Sequence, residues 1–165
     1  MKRLLTFTSL LVLIPALALA CCGEAIYNDP GDTHEGKPVV EIKWSGLIKP
    51  AQLHALGSVA VRFITEAGVV LFDATVPWSS FVKNGLKWQY KNDLAKSVGG
   101  VGWLEFASHN DGWRIALIGY DDRLLAMAET VCVAWSVDGV GYAVSTLWKK
   151  RTGSPKGWHQ YGLKP

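Results

Sequence analysis

Four histidines, three cysteines and a scatter of carboxylates are the residues of this chain whose types could do chemistry. His34, His54, His109 and His159 stand far apart, and none has a second His or a paired Cys at metal-ligand spacing. A zinc site needs a compact set of such ligands, so no metal site is expected. There is no Gly-x-Ser-x-Gly elbow and no Gly-rich phosphate loop. Cys132 would serve as a nucleophile only beside a histidine. Glu105 and Asp111 are the acids to consider for glycoside hydrolysis, which needs two carboxyls roughly 5–10 Å apart across a cleft. Glu105 is expected to face solvent from a strand. Asp29 with Asp32, and Asp121 with Asp122, read as surface turns, without the ligand spacing of a calcium loop. No catalytic residue and no cofactor can be named.

The tryptophans are more suggestive. There are eight, all after residue 20. Trp44, Trp103, Trp113 and Trp135 sit in alternating apolar runs and are expected in the core. Trp88 lies beside Lys87, Tyr90 and Lys91. Trp148 and Trp158 fall in a tail that has no acid after Asp138 but carries Lys149, Lys150, Arg151, Lys156 and Lys164. Trp88, Tyr90, Trp148 and Trp158 therefore form the candidate binding set. Aromatic and basic side chains together suit an anionic glycan, a lipid headgroup region or a protein partner. The alternative is a solvated end with amphipathic side chains laid along it.

The elements that must position these residues read as strands. Val40, Ile42 and Trp44 alternate with Glu41 and Lys43, a period of two. Val59–Thr65 and Val69–Thr75 flank Ala67-Gly68. Trp78–Val82 and Leu86–Tyr90 flank Asn84-Gly85, a pair suited to a type I′ hairpin. Val101–Ala107 and Trp113–Ile118 flank Asn110-Asp111-Gly112, and Thr130–Ser136 and Gly141–Trp148 flank Asp138-Gly139. Pro50–Gly57 could hold one helical turn, and the last 15 residues read as irregular. Eight to ten short strands with turns every 8–12 residues predict an all-β fold. The expected form is an antiparallel β-sandwich, immunoglobulin-like or jelly-roll-like, with a small β-barrel as the alternative.

The first 20 residues read differently. Lys2 and Arg3 precede an uncharged stretch from Leu4 to Ala20 that ends in Ala18-Leu19-Ala20. A basic start, an apolar middle and a small-x-small exit are the parts of a secretory signal. Residues 1–20 are thus expected to be a signal peptide, 21–38 a linker rich in turn formers, and 39–165 the β-sandwich domain. Loss of Lys2 and Arg3 would lower the net charge from +3 to about +1, so the mature chain is no general polyanion binder. Its expected place is exported: periplasmic, outer-membrane-attached or extracellular, away from nucleic acid.

Cys21 directly after the cut resembles the bacterial lipoprotein signal, with Ala18 where Leu, Val or Ile is usual. The resemblance implies a lipid on Cys21 and a membrane partner through that lipid; ordinary release is the alternative. With Cys21 lipidated, Cys22 and Cys132 are left as an even pair that an oxidising compartment would allow to join. Cys132 as an inert buried thiol is the other possibility.

The stretch Phe72–Tyr90 resembles a module of exported bacterial proteins and lipoproteins. Its pattern is F-x-x-x-V-P-x-x-x-F, met by Phe72, Val76, Pro77 and Phe81, then Asn84-Gly85 and the strand Lys87-Trp88-Gln89-Tyr90-Lys91. Gly99-Gly100, the strand from Gly102 to Phe106 and Cys132 continue it, so the likeness spans about Val59 to Val144. It implies an extracytoplasmic β-sandwich and carries over no catalytic residue. The reading is an exported, non-enzymatic binding or surface-interaction module whose partner is an envelope glycan or protein. A small glycan-acting hydrolase and a purely structural lipoprotein are the alternatives.

Overall fold

The computed structural model describes residues 20–27, 33–34, 37–38, 40–49, 53–110, 112–152 and 156–163, with side chains from Val40 onward. In chain order the strands are β1 (Ala20–Tyr27), β2 (Thr33–His34), β3 (Lys37–Pro38), β4 (Val40–Ile48), β5 (Ser58–Thr65), β6 (Val70–Pro77), β7 (Val82–Asn84) and β8 (Lys87–Lys91). After the short helix α1 (Ala95–Val98) come β9 (Gly100–His109), β10 (Gly112–Asp121), β11 (Thr130–Val137), β12 (Val140–Lys150) and β13 (Gly157–Leu163). The chain folds as an antiparallel β-sandwich of two five-stranded layers and does not close into a barrel. One layer runs β6-β5-β11-β12-β13 and the other β4-β10-β9-β8-β7, with β1 hydrogen-bonded between β13 and β4.

Strand alternation decides what the layers bury. In β4 the inward positions are Val40, Ile42, Trp44 and Ile48, and in β11 they are Val131, Val133, Trp135 and Val137. Apolar side chains on every second residue put all of one set on one face. Phe63 of β5 meets Trp44 edge-on at 6.4 Å and Phe72 of β6 at 6.0 Å, so both layers share one core. Gly119 of β10 makes room at the crossing, since a Cβ there would lie 2.7 Å from the Phe72 ring. Each such side chain, fully buried, contributes about 1.5–3 kcal/mol.

Several boundaries differ from the sequence reading. Gly157–Leu163, in the tail read as irregular, is strand β13, paired to both β12 and β1. Ala20–Tyr27, within the segment read as leader end and linker, is strand β1, whose partners Val40–Gly46 lie on β4. Neighbouring strands rescue these stretches, which lack an apolar period of their own. Residues 53–56 are not helical, and Ala55 has φ of 54°. Trp78–Ser80 is a 3₁₀ turn rather than the start of a strand. The β7–β8 loop is Gly85-Leu86, one residue later than an Asn-Gly centre, with Gly85 at φ 58°. Asp138-Gly139 does form the expected two-residue loop, with φ of 50° and 81°, as a type I′ turn requires.

Candidate interaction face

The four aromatic residues singled out by sequence do not form one surface. Trp148 is 1% exposed; its indole N–H donates to Thr146 Oγ1 at 2.7 Å, and that hydroxyl donates to the Val131 carbonyl at 2.7 Å. Trp158 is 6% exposed, with Lys150 Nζ 5.4 Å from its ring centre. Both are core residues, because β12 and β13 pair as strands and turn these rings inward; Lys149 points to the other face, and Lys150, opposite Trp158, lies over the edge of its ring. Trp88 and Tyr90 are half-buried. Trp88 lies 5.7 Å from Trp78, and Tyr90 lies 5.9 Å from Phe81. They pair across the ladder with Phe106 and Leu104, which point inward, so they cap the end of the core. Lys83 Nζ stands 5.3 Å over Trp88.

A different set faces outward from the second layer. Residues opposite one another on neighbouring strands share a face. Lys91 pairs with Trp103, Gln89 with Glu105 and Lys87 with Ala107; on the other side Trp103 pairs with Ile118, Glu105 with Ala116 and Ala107 with Arg114. Trp103, expected in the core, is half-buried on this outer face. A bulge at Gly102 lets β9 carry Val101 inward and Trp103 outward.

Glu105, expected to be solvated, is 4% exposed. Gln89 Nε2 donates to its Oε2 at 2.7 Å, and Lys87 Nζ lies 3.3 and 3.4 Å from its two oxygens. The Lys87 side chain stays half exposed while the Glu105 carboxylate does not. The result is an indole beside a fixed acceptor and an amide on a sheet face, with Lys91, itself paired to Asp93 at 2.9 Å, across from the indole and Lys87 farther along at the acid. Farther along, Tyr120 donates to Glu41 Oε2 at 2.9 Å, and Lys43 pairs with Glu41 at 2.8 Å. Burial first, then the Glu41 hydrogen bond and charge, push the Tyr120 phenol up to about 12.

Glu41 and Glu105 share this face but are separated by two strand spacings and four residues of ladder, roughly 16 Å by strand geometry. That exceeds the carboxyl separation of a glycosidase pair. Asp111 lies outside the described residues. Among the described residues no group of three or more His, Cys, Asp or Glu converges to hold a metal ion. His54 and His109 are exposed and His159 is half-buried.

The outer face of the first layer mixes small groups, Ala60, Cys132, Ala134, Ser136 and Ser145, with Ile64 and the Arg62–Asp73 ion pair. Cys132 is a free thiol, half-buried, and burial raises its pKa. The side chains of Cys21 and Cys22 lie outside the described residues. No helix among the described residues is long and apolar enough to cross a membrane.

Compared with known protein families, with curated proteins and with solved structures, the chain matches none. Sequence reasoning missed Trp103, Gln89 and Glu105 as a group. Glu105 is two residues from Trp103 and Gln89 lies between Trp88 and Tyr90, and only the pairing of β8 with β9 brings the three together.

Proposed function

We propose that this chain is an exported binding module that takes an envelope glycan on the outer face of its second layer. The observation that carries it is Trp103, half-buried on this outer face across the ladder from Lys91, with Gln89 and the fixed Glu105 carboxylate at the next positions. An indole face suits the apolar side of a sugar ring, and the polar neighbours suit its hydroxyls and any acidic substituent. Lys2, Arg3 and the small-x-small exit at Ala18–Ala20 support export. Cys21, next after that exit, is the residue that would take a lipid and tether the module to a membrane. Lys83 over Trp88 makes a second, smaller basic-aromatic spot at the sheet edge.

The test is retention on insoluble envelope glycan. Trp103→Ala is expected to cut retention about tenfold, since losing one aromatic stack costs about 1 kcal/mol or more. Its unfolding midpoint should stay close to that of the parent. Equal retention of Trp103→Ala and parent would sink the reading. The same preparation, weighed intact, reports both the cut before Cys21 and any added acyl mass.

A further inference from the structure

Strand β1 starts at Ala20, opposite Gly46, and its register steps at Cys21 before Cys22 meets Ser45. No spacer therefore separates Cys21 from the folded layer, and a lipid on that residue would hold this end of the sandwich against a bilayer. The strand register shows what else lies at this end. β4 finishes at Ile48, which pairs with Trp113 at the start of β10, and Gly112 stands opposite His109 where β9 finishes. The Ser108 N–H donates to the Leu86 carbonyl at 3.1 Å, so the β7–β8 loop stands here too. Gly46 and Ile48 face Tyr142 and Val144 across a narrow cleft, which brings the β11–β12 hairpin to the same end. Trp78 joins the two layers here: its indole donates to Asp138 at 2.6 Å, and its ring lies 5.7 Å from that of Trp88.

The chemistry of these tips defines what fits. Leu86 is 76% exposed, Leu56 70% and Val140 41%. Leu56 is tied to the hairpin that precedes Val140, since its N–H donates to Asp138 at 2.9 Å. Lys49 and Lys83 are exposed at the same end. Among the described residues the acid there is Asp138, and its oxygens are taken by three backbone N–H groups and the Trp78 indole. The opposite end also exposes a leucine, Leu94 at 68%, but it carries Glu66, Asp93, Asp121 and Asp122. An anionic lipid surface repels that acidic end. It attracts ammonium groups, and its headgroup boundary takes up apolar side chains. Apolar tips among lysines, at the end where Cys21 joins the sheet, meet both demands.

We infer that the end of the sandwich bearing Leu56, Leu86 and Val140 docks on an anionic phospholipid surface. The inference rests on the Cys21 tether for its setting, but the docking itself needs no lipid on the protein. The experiment is flotation with vesicles of soluble protein recovered from the full-length chain carrying Cys21→Ser, which has no thiol there to acylate. The protein should float with vesicles of equal parts phosphatidylglycerol and phosphatidylethanolamine and stay behind with phosphatidylcholine alone. Added salt should release it, because it screens the lysines. Leu86→Asp should weaken flotation about tenfold, the worth of one leucine taken out of water. Leu94→Asp, at the acidic end, should leave it unchanged, and Leu86→Asp should keep the parent's unfolding midpoint and glycan retention. Equal loss in the two variants, equal flotation with both kinds of vesicle, or no flotation at all would each overturn the assignment. A dimer that Leu86→Asp splits, without vesicle binding, would give this end to a second copy of the chain and overturn it as well. The acyl mass of the unaltered chain tests the tether separately: its absence removes the tether and leaves the docking standing.

Discussion

Asp138 and Glu105 are two carboxylates in the same sandwich, each gathering several donors, yet they do different work. Asp138 accepts from the backbone N–H groups of His54, Ala55 and Leu56 at 2.7, 3.1 and 2.9 Å, and from the Trp78 indole at 2.6 Å. These donors lie 60 to 84 residues away in sequence. The hairpin turn that holds Asp138 at positive φ thus ties down the β4–β5 connection and the 3₁₀ turn after β6. Among the described residues Glu105 accepts from two side chains, Lys87 and Gln89, both on the adjoining strand. Backbone donors cannot leave without unfolding a loop, whereas side-chain donors can turn towards a ligand. An acid held by main chain is a structural tie, and an acid held by side chains can exchange its partners without any loop unfolding.

The sharpest way to break this contrast is Asp138→Ala. It strands three backbone donors and an indole, and hydrogen bonds to a charged group are worth about 1.5–3 kcal/mol each without being additive. A loss of about 3–5 kcal/mol in denaturant unfolding is expected, and Asp138→Asn should lose about half as much. A change below about 1 kcal/mol in Asp138→Ala would show that the tie is ornamental.

Glu105→Gln should barely move stability, by about 1 kcal/mol or less, because its cation is half exposed and solvent screens the pair. Glycan retention should fall all the same. If unfolding shifts as far as in Asp138→Ala, the two acids are equivalent and the contrast fails.

The smallest effect is confined to alkaline solution. Tyr120 titrates at about 12 in the fold against an ordinary value of 10.0. The folded state therefore holds its proton more tightly than the unfolded chain does. The stability this lends is fully present below pH 10 and is lost as pH rises from about 10 towards about 12. Glu41→Gln should lower the phenol's titration, followed by absorbance, yet leave it above 10, since burial is the larger cause. A titration unchanged by Glu41→Gln would remove Glu41 from that account.

Much of the fold was legible because strand alternation is local. The runs around Val40–Trp44, Val59–Thr65 and Thr130–Ser136 became strands with their apolar sets inward, and Asp138-Gly139 closed its hairpin as its φ demands required. The candidate site was not legible. Trp148 looked like an exposed partner of Lys149, but chain neighbours on a strand point to opposite faces; Trp158 lies opposite Lys150 across the ladder and is still covered, and a basic run does not reveal which face is covered.

The sequence by itself determined the strand periodicity, the turns and the basic-apolar-small pattern of the first 20 residues, since each rests on neighbours a few positions apart. Only the tertiary structure decided that Glu105 is buried by Lys87 and Gln89, that Trp103 faces out, and that Leu56, Leu86 and Val140 stand exposed at the end where β1 begins. Those outcomes depend on which strands pair and which faces meet, and such contacts join residues whose separation along the chain carries no signal of their approach.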